Sequence, residues 1–186
     1  MKQTRRFFAV TSLLALAACA SGSTPQETAD KRAQIDQEAT VALNQLYTEN
    51  PEAKTLSERA KGILIMPDII KGGLGITGEG GTGVLRVNGQ PAGYYNLTSA
   101  GFGLAIGVQS YSQVLMFLED QALADFQAGQ GWEAGVDGSV AVLDTGASGE
   151  VDTSNIQAPI VGFVFGETGL MANASIEGSK YTRLDD

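Results

Sequence analysis

A chain of 186 residues with 43% apolar and 18% charged side chains can build one folded domain and is not a disordered tail. Its formal net charge of −9 argues against nucleic acid as a partner, because such binding is dominated by cationic contacts to phosphate. The lack of any histidine removes the usual general base, the commonest metal ligand and every Ser-His arrangement.

The opening stretch, MKQTRRFFAVTSLLALAAC, predicts an export signal: Lys2, Arg5 and Arg6 form a basic head, and Phe7 to Ala18 an apolar run. That run is shorter than the stretch of about 20 residues that a membrane-spanning helix needs. Leu16-Ala17-Ala18-Cys19 resembles a bacterial lipobox, which places cleavage before Cys19 and a diacylglycerol on its thiol. Thr4-Arg5-Arg6-Phe7-Phe8 also resembles a twin-arginine signal, so both that route and general secretion stay open. Residues 1–18 are therefore expected to be a lipoprotein signal peptide, 19–25 a tether and 26–186 a single domain. Loss of the signal would leave 9 basic residues against 21 acidic ones, and none of the basic ones lies between Arg86 and Lys180.

The pattern is helical up to residue 62. Thr24, Pro25 and Glu27 have the spacing of a capping box with proline at the first helical position. Ile35, Ala39, Ala42, Leu43, Leu46 and Tyr47 then recur on one helix face. Asn50-Pro51 stops that helix and starts a second, in which Ala53, Leu56 and Ala60 line up before Gly62.

After Gly62 the period becomes two and glycine is abundant. Residues 72–87 set Leu74 and Ile76 opposite Gly73 and Gly75, and 101–108 set Phe102, Leu104, Ile106 and Val108 opposite Gly101, Gly103, Ala105 and Gly107. Residues 131–143 alternate Trp132, Ala134, Val136, Val140 and Val142 with small or acidic residues. Further strands are expected at 91–97, 112–118, 159–166, 169–176 and 178–184, with a short helix over 119–128. The fold class predicted is α+β: N-terminal amphipathic helices packed on a curved, glycine-rich antiparallel β-sheet or small barrel.

Catalytic patterns are thin. Asp144-Thr145-Gly146 resembles an aspartic-protease loop, but that chemistry needs two carboxylates sharing a proton, and the chain has one such motif. Ile160-Val161-Gly162 follows too soon to leave room for a flap and its return strand. The glycine runs lack the strand, turn and helix setting of a nucleotide loop, and Asp144, Glu150 and Asp152 lack calcium-loop spacing. No enzyme activity, cofactor or metal is expected, and Asp144 reads as a turn residue closing a strand.

Three ordered blocks carry a resemblance: LSERAKGILIMPDIIKGGLGITGEGGTGVLRVNGQ, YYNLTSAGFGLAIGVQSYSQVLMFLED and APIVGFVFGETGLMANASIEGSKYTRL. They are similar to the SYLF-domain family, in its bacterial lipoprotein branch, over about residues 50 to 184. The pattern departs from the family at Tyr94-Tyr95-Asn96-Leu97 and at Met171. The resemblance implies non-catalytic binding to a phospholipid membrane. The actin and phosphoinositide binding of eukaryotic members is not carried over.

Under that implication Lys54, Arg59, Lys61 and Lys71 are the place where an anionic headgroup would be met, unless they are solvated charges balanced by Glu52, Glu58 and Asp68. Leu74, Ile76, Phe102, Leu104 and Ile106 either leave room for an acyl chain or pack the core. The expected setting is the periplasmic face of the outer membrane, with the protein anchored through Cys19. A second class stays open: a tethered module that meets an envelope protein through an acidic face of Asp137, Asp144, Glu150 and Asp152.

Overall fold

The computed structural model describes residues 24–129, 131–144, 158–169, 176 and 178–184. Helix α1 (Pro25–Glu49) starts where the sequence marks it. The Thr24 hydroxyl accepts from the Glu27 N–H, and the Glu27 carboxylate accepts from the Thr24 N–H at 2.8 Å. These bonds, the backbone one foremost, hold the Glu27 carboxyl below the usual carboxylate range. Asn50 ends α1 and caps α2 (Pro51–Ser57) by accepting from the Ala53 N–H at 3.1 Å. Ala39, Ala42 and Leu46 of α1 and Ala53 and Leu56 of α2 are buried, so the apolar stripes face the sheet as their spacing requires.

Two strands dominate the rest, β1 (Gly62–Val87) and β2 (Gln90–Phe117), paired antiparallel along their whole length. Asn88 (φ 51°) and Gly89 (φ 75°) join them in a two-residue turn that needs the left-handed conformation at both positions. The segments expected as separate strands at 91–97, 101–108 and 112–118 are one continuous strand. Their glycines bend the ladder, whose register shifts at three places along its length.

The ribbon folds back on itself midway. Leu74 pairs with Ile106 and Ile76 with Phe102, so one residue of β1 opposes three of β2 in a wide bulge. A Cβ on Gly73 would collide with the Ile76 carbonyl, and Gly107 takes φ 138°. Further along, a Cβ on Gly81 would lie 2.6 Å from the Asp68 carbonyl, and one on Gly83 would strike the Ile65 carbonyl. The two arms of β1 thus cross at backbone contact, which only glycine permits.

Helix α3 (Asp120–Ala128) follows, then β3 (Trp132–Glu133), β4 (Val140–Asp144), β5 (Ile160–Gly169) and β6 (Lys180–Arg183). The six-stranded sheet runs β3-β6-β2-β5-β4, with β1 also on β2, and curls into a half-barrel. The expected sheet is antiparallel. One pair departs from this: β4 runs parallel to β5 from Val140↔Ile160 to Asp144↔Val164. The single strand expected over 131–143 is instead split by a turn at 135–137. Gly135 there takes φ 86°, and Asp137 accepts from the Glu133 N–H at 2.7 Å. Val136 is consequently exposed rather than inward. The strand expected over 169–176 lies almost wholly outside the described residues.

Two apolar layers result. Inside the folded ribbon Leu64, Met66, Ile69, Leu85, Leu97 and Leu115 pack together, and Phe126 of α3 closes one end against Tyr95, Phe117, Trp132 and Tyr181. Outside it, α1 and α2 cover Ile65, Val84, Val114, Met116, Phe163 and Phe165.

Candidate functional site

Successive β-strand side chains point to opposite faces, so β2 divides into two rows. Tyr111, Leu115 and Phe117 point into the folded ribbon, whereas Val114 and Met116 point outward and lie under α1. The outward row continues toward the bend as Ser112, still buried beside α1, and then as Ser110 and Val108. There it meets the outward row of β1, Ile70, Gly72 and Leu74, with Val108 paired to Gly72. Ile76 follows just past the bulge.

This corner is apolar and open to solvent. Ile70 is 54% exposed, Val108 67%, Ile76 63% and Leu74 78%, which makes four of the eight large apolar side chains that stand out among the described residues. Single exposed apolar side chains are ordinary, but four gathered on one bend form a patch that marks an interaction surface. Leu74 and Ile76 therefore neither pack the core nor line an internal acyl space. Alternation marks an apolar face, and only the footprint of α1 decides whether that face is covered. Phe102 and Ile106 pair with Ile76 and Leu74 through the backbone, with Leu104 in the bulge between them. Their side chains lie outside what is described.

The inward side of the same corner is polar. Lys71 Nζ lies 2.6 Å from Glu79 Oε1, with 13% and 8% of the two side chains exposed, so the pair bridges the two arms of β1 across the bend. Tyr111 donates to Glu79 Oε2 at 2.7 Å and ties β2 into the same clasp. Burial first, and then the Glu79 carboxylate that accepts its proton, hold the Tyr111 hydroxyl far above the ordinary phenol range. Gln109, opposite Lys71, is buried beside them.

The four expected headgroup cations do not converge. Lys54 and Arg59 are exposed around α2, and Lys61 lies 3.8 Å from Asp120. Lys71 is ten residues further along β1, about 33 Å at the usual rise per residue, with its charge already engaged by Glu79. Of the acidic face, Asp137 sits in the exposed turn after β3 and Asp144 ends β4, whereas Glu150 and Asp152 lie outside the described residues. Cys19 and the signal preceding it lie outside them as well. Among the described residues no helix is long and apolar enough to cross a membrane.

Sequence reading missed Ile70 and Val108 as members of the corner, and missed Glu79 and Tyr111 as partners of Lys71. The Asn88-Gly89 dipeptide was a local signal for the hairpin turn.

Comparisons with known proteins point to one family. Residues 98–186 match the family described as "Ysc84: Las17-binding protein actin regulator". "Beta cell expansion factor A" of Aeromonas veronii is 35% identical over 159 residues, which is 84% of this chain. The chain spans 59% of the length of that curated relative. The chain belongs to the SYLF-domain family, a family of binding domains related to lipid binding and actin regulation.

Proposed function

We propose that this domain is a non-catalytic phospholipid-binding module of a bacterial envelope lipoprotein, tethered through a diacylated Cys19. It meets the bilayer with the corner formed by Ile70, Leu74, Ile76 and Val108. The observation that carries this reading is the position of that patch: four large apolar side chains gathered where the ribbon turns, past the part of β2 that α1 covers. Burial of such side chains at the acyl boundary contributes about 0.8 kcal/mol per CH₂, which gives the patch a thermodynamic use. Membership of the SYLF-domain family supports it independently.

A lipid on Cys19 would by itself hold the protein on a membrane, so the domain is tested without it. The unlipidated Cys19→Ser protein should co-sediment with phosphatidylcholine vesicles. A protein that stays in the supernatant with every vesicle composition would sink the proposal.

A further inference from the structure

The ring of charge around the corner is acidic. Asp68 is exposed on β1 two residues before Ile70. Glu38 of α1 is exposed and lines one depression together with Asp68 and Ile70. Lys71 is the only cation between Lys61 and Arg86, its ammonium turned inward onto Glu79 at 2.6 Å. Arg86 is ten residues past Ile76, and its guanidinium holds the Asp36 carbonyl and the Thr40 hydroxyl, each at 2.8 Å. No Lys or Arg occurs anywhere from residue 87 to residue 179, so β2 and β5 bring none to the corner. The basic residues around α2 sit at the far end of β1, Lys31 and Arg32 of α1 lie by Thr82 and Tyr94, and Lys180 and Arg183 sit on β6 opposite Thr98 and Tyr95.

A surface of this kind has apolar side chains to insert and no free cation to lay against phosphate groups lacking a compensating charge. We infer that the corner fits an electrically neutral, zwitterionic bilayer surface and discriminates against anionic lipid. The inference rests on the reading of the corner as the membrane-docking surface, and it makes Asp68 and Glu38 its selectivity residues. A bilayer surface potential of about −30 mV opposes each nearby acidic charge by roughly a factor of three, so two of them give about tenfold. Salt screens the effect, because the Debye length is about 10 Å at 0.1 M and about 3 Å at 1 M.

The test titrates the Cys19→Ser protein with vesicles of phosphatidylcholine alone and of phosphatidylcholine mixed equally with phosphatidylglycerol, at low and high salt. Neutral vesicles should bind about tenfold better at low salt, with the gap closing at high salt. Asp68→Asn with Glu38→Gln should close it at low salt, and Asp68→Lys with Glu38→Lys should reverse it. Emission from the buried Trp132 monitors the fold of each variant. Equal or tighter binding to the anionic vesicles at low salt would overturn the inference while leaving membrane docking in place. Absence of binding to both compositions would remove the docking reading and this inference together.

Discussion

Replacing Leu74 and Ile76 together by serine removes the apolar reach of the corner without touching the core. Full burial of a Leu or Ile side chain is favourable by roughly 1.5–3 kcal/mol. Leu74 is 78% exposed and Ile76 63%, so most of that transfer has not yet taken place in the folded protein. Insertion of the pair should therefore contribute about 3 kcal/mol, and the double substitution should lower partitioning onto phosphatidylcholine vesicles about 100-fold. Sedimentation titration of the unlipidated protein measures this directly. Thermal unfolding should move little, since exposed positions usually contribute within about 0.5 kcal/mol. Val136 provides the contrast: it is 73% exposed in the turn after β3, and Val136→Ser should leave partitioning unchanged. A loss below threefold for the corner variant, or an equal loss for Val136→Ser, would refute the assignment of the corner as the docking surface.

Three further outcomes probe the framework beneath the corner. Gly83→Val should destabilise the domain by more than about 3 kcal/mol in urea unfolding, because a Cβ there meets the Ile65 carbonyl, whereas Gly80→Ala, with only the Leu97 carbonyl at 3.8 Å, should be well tolerated. Lys71→Met should cost about 3 kcal/mol by stranding the buried Glu79 carboxylate, and Lys71→Met with Glu79→Gln should recover most of it, as a double-mutant cycle in chemical unfolding would read. Burial first, then its hydrogen bond to Asp36, push the Tyr94 hydroxyl up to about 12, and those of Tyr111 and Tyr181 lie higher still. Unfolded tyrosines ionise from about pH 10 while these stay protonated, so stability should be full below that pH and fall as pH rises toward 12. Tyr94→Phe should flatten that decline in unfolding midpoints measured at successive pH values.

The elements that could be read from the chain are those set by residues a few positions apart. Thr24, Pro25 and Glu27 start α1, and Asn50-Pro51 separates it from α2, because each cap closes within one helical turn. The glycine runs announced tight bending or close packing, and the structure has both, the bend at Gly73 and the crossing at Gly81 and Gly83. Composition cannot tell which glycine will bend a strand and which will make room for another backbone. That depends on where the second arm of the ribbon lands. The parallel β4–β5 pair is hidden for the same reason, since its partners meet by strand register and lie many residues apart in the chain.

The corner shows how a surface can be present in the sequence as residues yet absent as a site. Leu74 and Ile76 stand out by alternation, but their exposure follows from the place where α1 stops covering the outward row of β2, between Ser112 and Val108. Lys71 looks from sequence like a headgroup ligand because its partner is eight residues away, on the other side of a bend that glycine creates. Once the ribbon folds, the same glycines that turn β1 bring Glu79 under Lys71 and withdraw that charge from the surface. The bend thus leaves apolar side chains outside and the ion pair inside, which is why the proposed docking relies on insertion rather than on a cation.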